Sequence, residues 1–170
     1  PQPFPAEGVK KTLTLRVTMT IAGTYTNTIF AGDVTTDNGV SNPEDAEASL
    51  TNLAGASISK GFAPNPIYAG EYSMLTITIR NQSGVGLTGM GLLDTLPAGL
   101  AIAGSPAPAP TTDCTGGSLI AVVGLQEIRL SGASLDNSGS CTIVVPVTGV
   151  TPGSYLNLIP GGRLISDQGI

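Results

Sequence analysis

The chain has 170 residues, 41% of them hydrophobic and only 11% charged, with a formal net charge of −5 and neither His nor Trp. So low a charged share, against an ordinary value of roughly 25%, with no basic cluster beyond Lys10-Lys11, argues against a nucleic-acid partner, which needs a basic stripe. The lack of His removes the commonest general base and metal ligand, and the lack of Trp weakens any sugar-stacking platform.

Taken from the N-terminus, almost every segment alternates with period two. Thr12 to Thr20 sets Leu13, Leu15, Val17 and Met19 on one face and Thr12, Thr14, Arg16, Thr18 and Thr20 on the other, the pattern of a half-buried antiparallel strand. Strands are expected next at 24–30, 46–51 and 56–60. Tyr72 to Asn81 repeats the alternation, with Leu75, Ile77 and Ile79 inward and Thr76, Thr78 and Arg80 outward. Further strands are expected at 90–95, 118–123, 126–131, 142–149 and 154–159. Turn chemistry separates them: Asn38-Gly39, Pro64-Asn65-Pro66, Pro97-Ala98-Gly99, Gly116-Gly117 and Pro152-Gly153. The Pro- and Ala-rich segment 103–112 is expected to run as extended polyproline II on the surface, a stiff crossing loop. No helical periodicity is present, and short Thr-, Val- and Ile-rich strands at regular spacing predict an all-β sandwich. No window serves as a transmembrane helix; the uncharged stretch 95–112 is broken by Pro and Gly.

A long internal repeat organises the chain. Ala22–Val40 aligns without gaps with Pro152–Ile170, an offset of 130 residues, and Gly23, Tyr25, Asn27, Ile29, Gly32, Asp37 and Gly39 recur as Gly153, Tyr155, Asn157, Ile159, Gly162, Asp167 and Gly169. Upstream, Leu13, Val17 and Thr18 face Ile143, Val147 and Thr148. A domain-sized repeat is the mark of a tandem array. The expected division is therefore 1–54, the C-terminal strands of a preceding unit, and 55–170, a sandwich lacking its last strand. The chain reads as a processed or partial segment, a piece of a long array or a subunit that borrows strands from a neighbour.

Cys114 and Cys141 are the only cysteines and lack the spacing of a zinc or redox site. They are expected to form one disulfide, which points to an oxidising compartment; two free buried thiols in a cytosolic domain are the alternative.

Five segments together resemble the tandem β-sandwich repeats of unknown function found in large bacterial and archaeal surface proteins. They are SISKGFAPNPIYAG from Ser57, LTITIRN from Leu75, DTLPAGL from Asp94, GSCT from Gly139, and PGSYLNLI from Pro152. The resemblance covers 55–170 as one unit and 12–54 as the tail of another. It implies an immunoglobulin-like sandwich, a cell-surface or secreted location, and stalk, adhesive or fibre roles, with no catalytic residue. Each motif also has a plain structural reading. Pro66 and Gly70 bracket a turn, Asp94 caps the turn that follows it, Gly99 supplies a positive φ, and Tyr155 buries its ring while its hydroxyl bonds backbone. Asn157 satisfies a neighbouring strand or loop.

A search for chemistry finds little. Glu44, Asp45 and Glu47 cluster without the alternating spacing of a calcium loop and read as a solvated edge, with a weak cation site as the alternative. Asp37 and Asp167 read as turn caps. A seryl nucleophile lacks its His, and no GxSxG is present. A Lys–Asn isopeptide cross-link through Lys60 is conceivable in a surface sandwich and is a minor alternative. No catalytic residue, metal or cofactor is assigned. The sequence reading is a structural repeat of an extracellular fibre or cell-surface protein, not an enzyme, whose partners are neighbouring repeats or identical subunits. The rival reading is an adhesin module that binds glycan or a host protein. The repeat sets Thr26, Thr28 and Thr35 against Leu156, Leu158 and Ile165. Leaving three such aliphatic side chains wet forgoes roughly 1.5–3 kcal/mol each. These residues, with Val144, are therefore the candidate interface, unless a loop such as 103–112 folds over them.

Overall fold

A computed structural model describes residues 12–19, 21–52 and 54–169. The chain divides into two compact units, Pro1–Asn52 and Leu53–Ile170. All regular structure among the described residues is β.

The first unit holds β1 (Gly23–Ile29) and β2 (Ala46–Asn52), an antiparallel pair running from Gly23 opposite Asn52 to Ile29 opposite Ala46. One face of this ladder is a row of polar contacts. Thr24 meets Thr51 at 3.0 Å, Thr26 meets Ser49 at 2.8 Å, and Thr28 donates to Glu47 at 3.3 Å. The loop between the strands is organised by Asn42. Its Nδ2 donates to the carbonyls of Phe30 and Glu44, and its Oδ1 accepts from Gly32 and Val34 N–H groups.

The strand expected over Thr12–Thr20 is not formed within residues 12–19. Leu13, Leu15 and Val17 are exposed, so the apolar face has nothing to pack on. Alternation selects which face a strand buries, but a ladder partner is needed to make the strand.

The second unit is an antiparallel sandwich. Its first sheet runs β3 (Ser57–Ala63), β4 (Tyr72–Arg80), β10 (Ser140–Gly149), β6 (Leu100–Ile102), with β7 (Thr111–Thr112) also paired to β10. Its second sheet runs β11 (Leu164–Ile165), β5 (Leu87–Thr95), β9 (Glu127–Leu135), β8 (Ser118–Ala121). The period-two pattern is realised along β4, where Leu75, Ile77 and Ile79 are fully buried, and along β10, where Ile143, Val145 and Val147 face the same layer. Met90, Leu92, Ile128, Leu130 and Ala133 close the core from the second sheet. Each of the larger side chains, Ala133 apart, contributes roughly 1.5–3 kcal/mol on burial.

Two expectations change here. Segment 103–112 is not a continuous surface polyproline run: Ala103 is buried, the chain turns with Ala107 N–H on Gly104 O, and Thr111–Thr112 joins β10. Segment 154–159 forms no strand. In the first unit the matching residues are β1, held by seven pairs with β2. In the second unit, side chains hold the segment instead.

Candidate functional site

Lys60 lies on β3 at the edge of the first sheet, opposite Ile77 of β4. Period two turns this cation inward, beside Ile58 and Phe62, which pack on the core. Asp94 lies on β5 of the other sheet, opposite Ile128. Its side chain is fully buried, and that of Lys60 is 15% exposed. Lys60 Nζ reaches both carboxylate oxygens, at 3.1 and 3.2 Å. The third member is Asn157, 8% exposed, whose Nδ2 donates to Asp94 Oδ2 at 2.8 Å. The amine of Lys60 and the carboxamide of Asn157 thus share one oxygen. Asn157 Oδ1 is buried and, among the described residues, has no hydrogen-bond partner, a costly state for a polar atom.

A tyrosine corner positions Asn157. Tyr155 Oη donates to Thr151 O at 2.6 Å, and its ring lies against Gly99. Gly99 has φ 97°, and a Cβ there would overlap the ring, so glycine is required twice over. The same corner occurs in the first unit, where Tyr25 Oη donates to Ile21 O at 3.0 Å. Downstream, Thr88 clasps the chain: its Oγ1 donates to Asp167 Oδ2 at 2.9 Å and its N–H to Gln168 Oε1 at 2.9 Å.

Burial lowers the Lys60 pKa from its ordinary value, only partly countered by the hydrogen bond and charge of Asp94. A buried ion pair of this kind gains little net stability, because desolvating both charges offsets their attraction.

The sequence shows these residues singly but not their meeting. Asp94 does not cap its turn; its carboxylate is spent on Lys60 and Asn157. Asp167 bonds Thr88 on β5, while the turn itself closes through Gly169 N–H on Ser166 O. That turn bond repeats Gly39 N–H on Thr36 O. Charged residues within alternating strands were the available signal: Lys60 and Asp94 fall on inward positions.

Cys114 and Cys141 form a disulfide with Cα atoms 5.0 Å apart, tying the chain beyond β7 to β10. Asp113 lies beside the two sulfurs, and its Oδ1 accepts from Thr142 N–H. Of the acidic trio, Asp45 accepts from Ala31 N–H and Glu47 from Thr28, so neither carboxylate faces empty solvent alone.

The four candidate interface residues are not brought to one patch. Leu156 and Leu158 are 83% and 66% exposed on the C-terminal segment, and Ile165 is 57% exposed on β11. Val144 is half-buried on the outer face of the first sheet, between Thr76 and Thr111. Ile165 belongs to the second sheet, so it and Val144 lie on opposite outer faces. Segment 103–112 leaves Leu156 and Leu158 uncovered.

A cleft of about 460 Å³ opens beside β6 and the tyrosine corner, lined by Phe62, Ile67, Tyr68, Ser73, Leu100 and Tyr155 among others. Ser73 Oγ is buried there without a partner.

Among solved structures, chitinase ChiA74 from Bacillus thuringiensis is similar at 16% sequence identity and a TM-score of 0.34, over 80% of this chain and 19% of the chitinase. A likeness this distant carries no inference about activity. No curated protein matches the chain. Residues 56–170 match the profile of the DUF7933 domain of unknown function. That stretch contains the whole sandwich, the disulfide and the Lys60–Asp94–Asn157 cluster, and the chain belongs to the DUF7933 family.

Proposed function

We propose that this chain is a load-bearing stretch of an extracellular fibre or cell-surface protein, built from immunoglobulin-like sandwiches joined in tandem, with no catalytic role. One observation carries the reading. The tyrosine corner recurs at an offset of 130 residues, as Tyr25 on Ile21 O and Tyr155 on Thr151 O, which supports two copies of one repeat in succession. The Cys114–Cys141 disulfide supports an oxidising, non-cytoplasmic location. The hydroxyl-rich, weakly charged composition suits such a surface. Successive units then contact their neighbours along the array or as identical subunits, with Leu156 and Leu158 as exposed apolar residues that such a contact would cover.

Electron microscopy of the intact protein from its native source tests this. A linear string of beads with a regular repeat is the expected image. A compact particle without repeat overturns the reading.

A second reading has its own observation. The cleft beside the tyrosine corner carries Tyr68 on its rim, 83% exposed, and an exposed aromatic beside a cleft of mixed apolar and polar lining suits glycan or peptide recognition. A glycan-array signal abolished by Tyr68→Ala would favour an adhesin; a blank array leaves the stalk reading in place.

A further inference from the structure

We propose that Lys60 and Asn157 become joined by an intramolecular isopeptide bond, with Asp94 moving the proton. The chemistry goes beyond the stalk reading and does not depend on it. The reaction joins Lys60 Nζ to Asn157 Cγ and breaks the bond from Cγ to Nδ2. The amine is the nucleophile and ammonia is the leaving group. The amine gives up a proton through the Asp94 carboxyl, which delivers it to the departing Nδ2. The balance is one primary amine plus one carboxamide, giving one secondary amide and one ammonia. No oxidant, reductant or external reagent is needed.

Four observations bring this about. First, nucleophile and electrophile share a single carboxylate oxygen, with Lys60 Nζ at 3.2 Å and Asn157 Nδ2 at 2.8 Å from Asp94 Oδ2. Holding reactants this way converts a slow bimolecular aminolysis into a unimolecular step. Second, water has little access to the carboxylate, with Asp94 fully buried and the Lys60 side chain 15% exposed, which disfavours hydrolysis. Third, burial lowers the pKa of Lys60, which raises the fraction of neutral, nucleophilic amine. Fourth, Asn157 Oδ1 is buried and unpartnered. Half a turn of the carboxamide brings that oxygen to the carboxyl of Asp94 once the latter carries the amine's proton, so the carbonyl is polarised at the moment of attack.

The product resolves what is unfavourable in the reactant. A buried ammonium and carboxylate become a neutral amide and a neutral carboxyl, each able to hydrogen-bond the other. Asp94 is the proton carrier and not the electrophile, because both of its oxygens already face Nζ and, among the described residues, no second acid bonds it. The bond would tie β3, where the sandwich begins, to the segment that follows β10. The tyrosine corner holds Asn157 in place, and the same Tyr-x-Asn spacing occurs at Tyr25 and Asn27.

The test is the intact mass of the reduced, denatured full chain, followed by peptide mapping. The expected result is a deficit of about 17 Da, one ammonia, located in a branched peptide that joins the Lys60 and Asn157 segments. Lys60→Met, Asn157→Ala and Asp94→Asn should each show the full mass. Disulfide formation and circular dichroism confirm that each variant is folded. The wild-type result stands by itself should a variant not fold. Three outcomes overturn the proposal. One is the full sequence mass in folded wild-type protein. Another is a deficit confined to a linear peptide, which marks a succinimide. The third is a deficit of about 18 Da with Lys60 joined to Asp94, the loss of water instead of ammonia.

Discussion

Replacing Cys114 and Cys141 together by Ala removes a cross-link whose ends are separated by 27 positions. In the chain-entropy account, closing a loop of that length restricts the unfolded state by about 3.5 kcal/mol at 25 °C. Both sulfurs are buried, and the volume they vacate adds about 1 kcal/mol of cavity cost. The total is comparable with the whole stability of a marginal domain, about 5 kcal/mol. Urea denaturation followed by circular dichroism reads it out. With a slope of about 2 kcal/mol per molar, the midpoint should fall by about 2 M with the slope little changed. Reducing the wild-type protein should reproduce most of this shift without any change of side chain. A Lys60–Asn157 bond alters the value only slightly. The unfolded chain would already be a closed ring, the effective loop would be shorter, and the disulfide's contribution would fall by roughly 0.3 kcal/mol. A midpoint shift below about 0.5 M in both experiments would refute the loop-entropy reasoning.

Other substitutions probe the corner, the open surface and the buried lysine. Gly99→Ala forces a Cβ into the Tyr155 ring at a positive φ and should cost over 2 kcal/mol, whereas Gly124→Ala, at φ 80° with open space, should cost about 1 kcal/mol from strain alone. Equal losses by thermal denaturation would contradict the packing role of Gly99. Tyr155→Phe removes the hydroxyl that bonds Thr151 O and should lower stability by about 1 kcal/mol; no change in melting temperature would dismiss that bond. Leu156→Thr with Leu158→Thr should leave stability within about 0.5 kcal/mol, because both are exposed. A fall of over 2 kcal/mol would mean that they are core. In Asn157→Ala, Lys60 keeps a titratable amine whose pKa burial holds below 10.5. The unfolded chain then binds more protons between the two pKa values, so stability rises with pH through that alkaline window and the burial cost is fully present below it. Relative to Lys60→Met/Asn157→Ala, the gap should narrow as pH approaches 10.5; a constant gap would contradict the desolvation of Lys60.

Most of the sandwich was legible because its strands bury one face. The alternation at Tyr72–Arg80 follows the core residue by residue. What alternation cannot supply is a partner. Leu13, Leu15 and Val17 carry the same signal as Leu75, Ile77 and Ile79, yet only the latter lie in a sheet. Short strands such as β6, β7 and β11 have too few residues for a period to register, and they exist because a neighbouring ladder recruits them. The Lys60–Asp94–Asn157 cluster was hidden for a related reason. Its members are 34 and 63 positions apart, on two sheets and a loop, and only the packing of the sheets brings them together. Lys60 and Asp94 were individually visible as charges on inward positions; their pairing was not.

Pulling the chain from its ends by single-molecule force spectroscopy tests most directly whether this is a covalently braced, load-bearing domain. With Lys60 bonded to Asn157, force bypasses everything between them, and the stretch from Lys60 to Asn157 should show no gain in contour length before rupture. In Lys60→Met the same segment is released up to the disulfide, and a step on the order of 20 nm should appear, at about 3.4 Å per freed residue. A step of that size in the wild-type protein, equal to the variant's, would contradict the account.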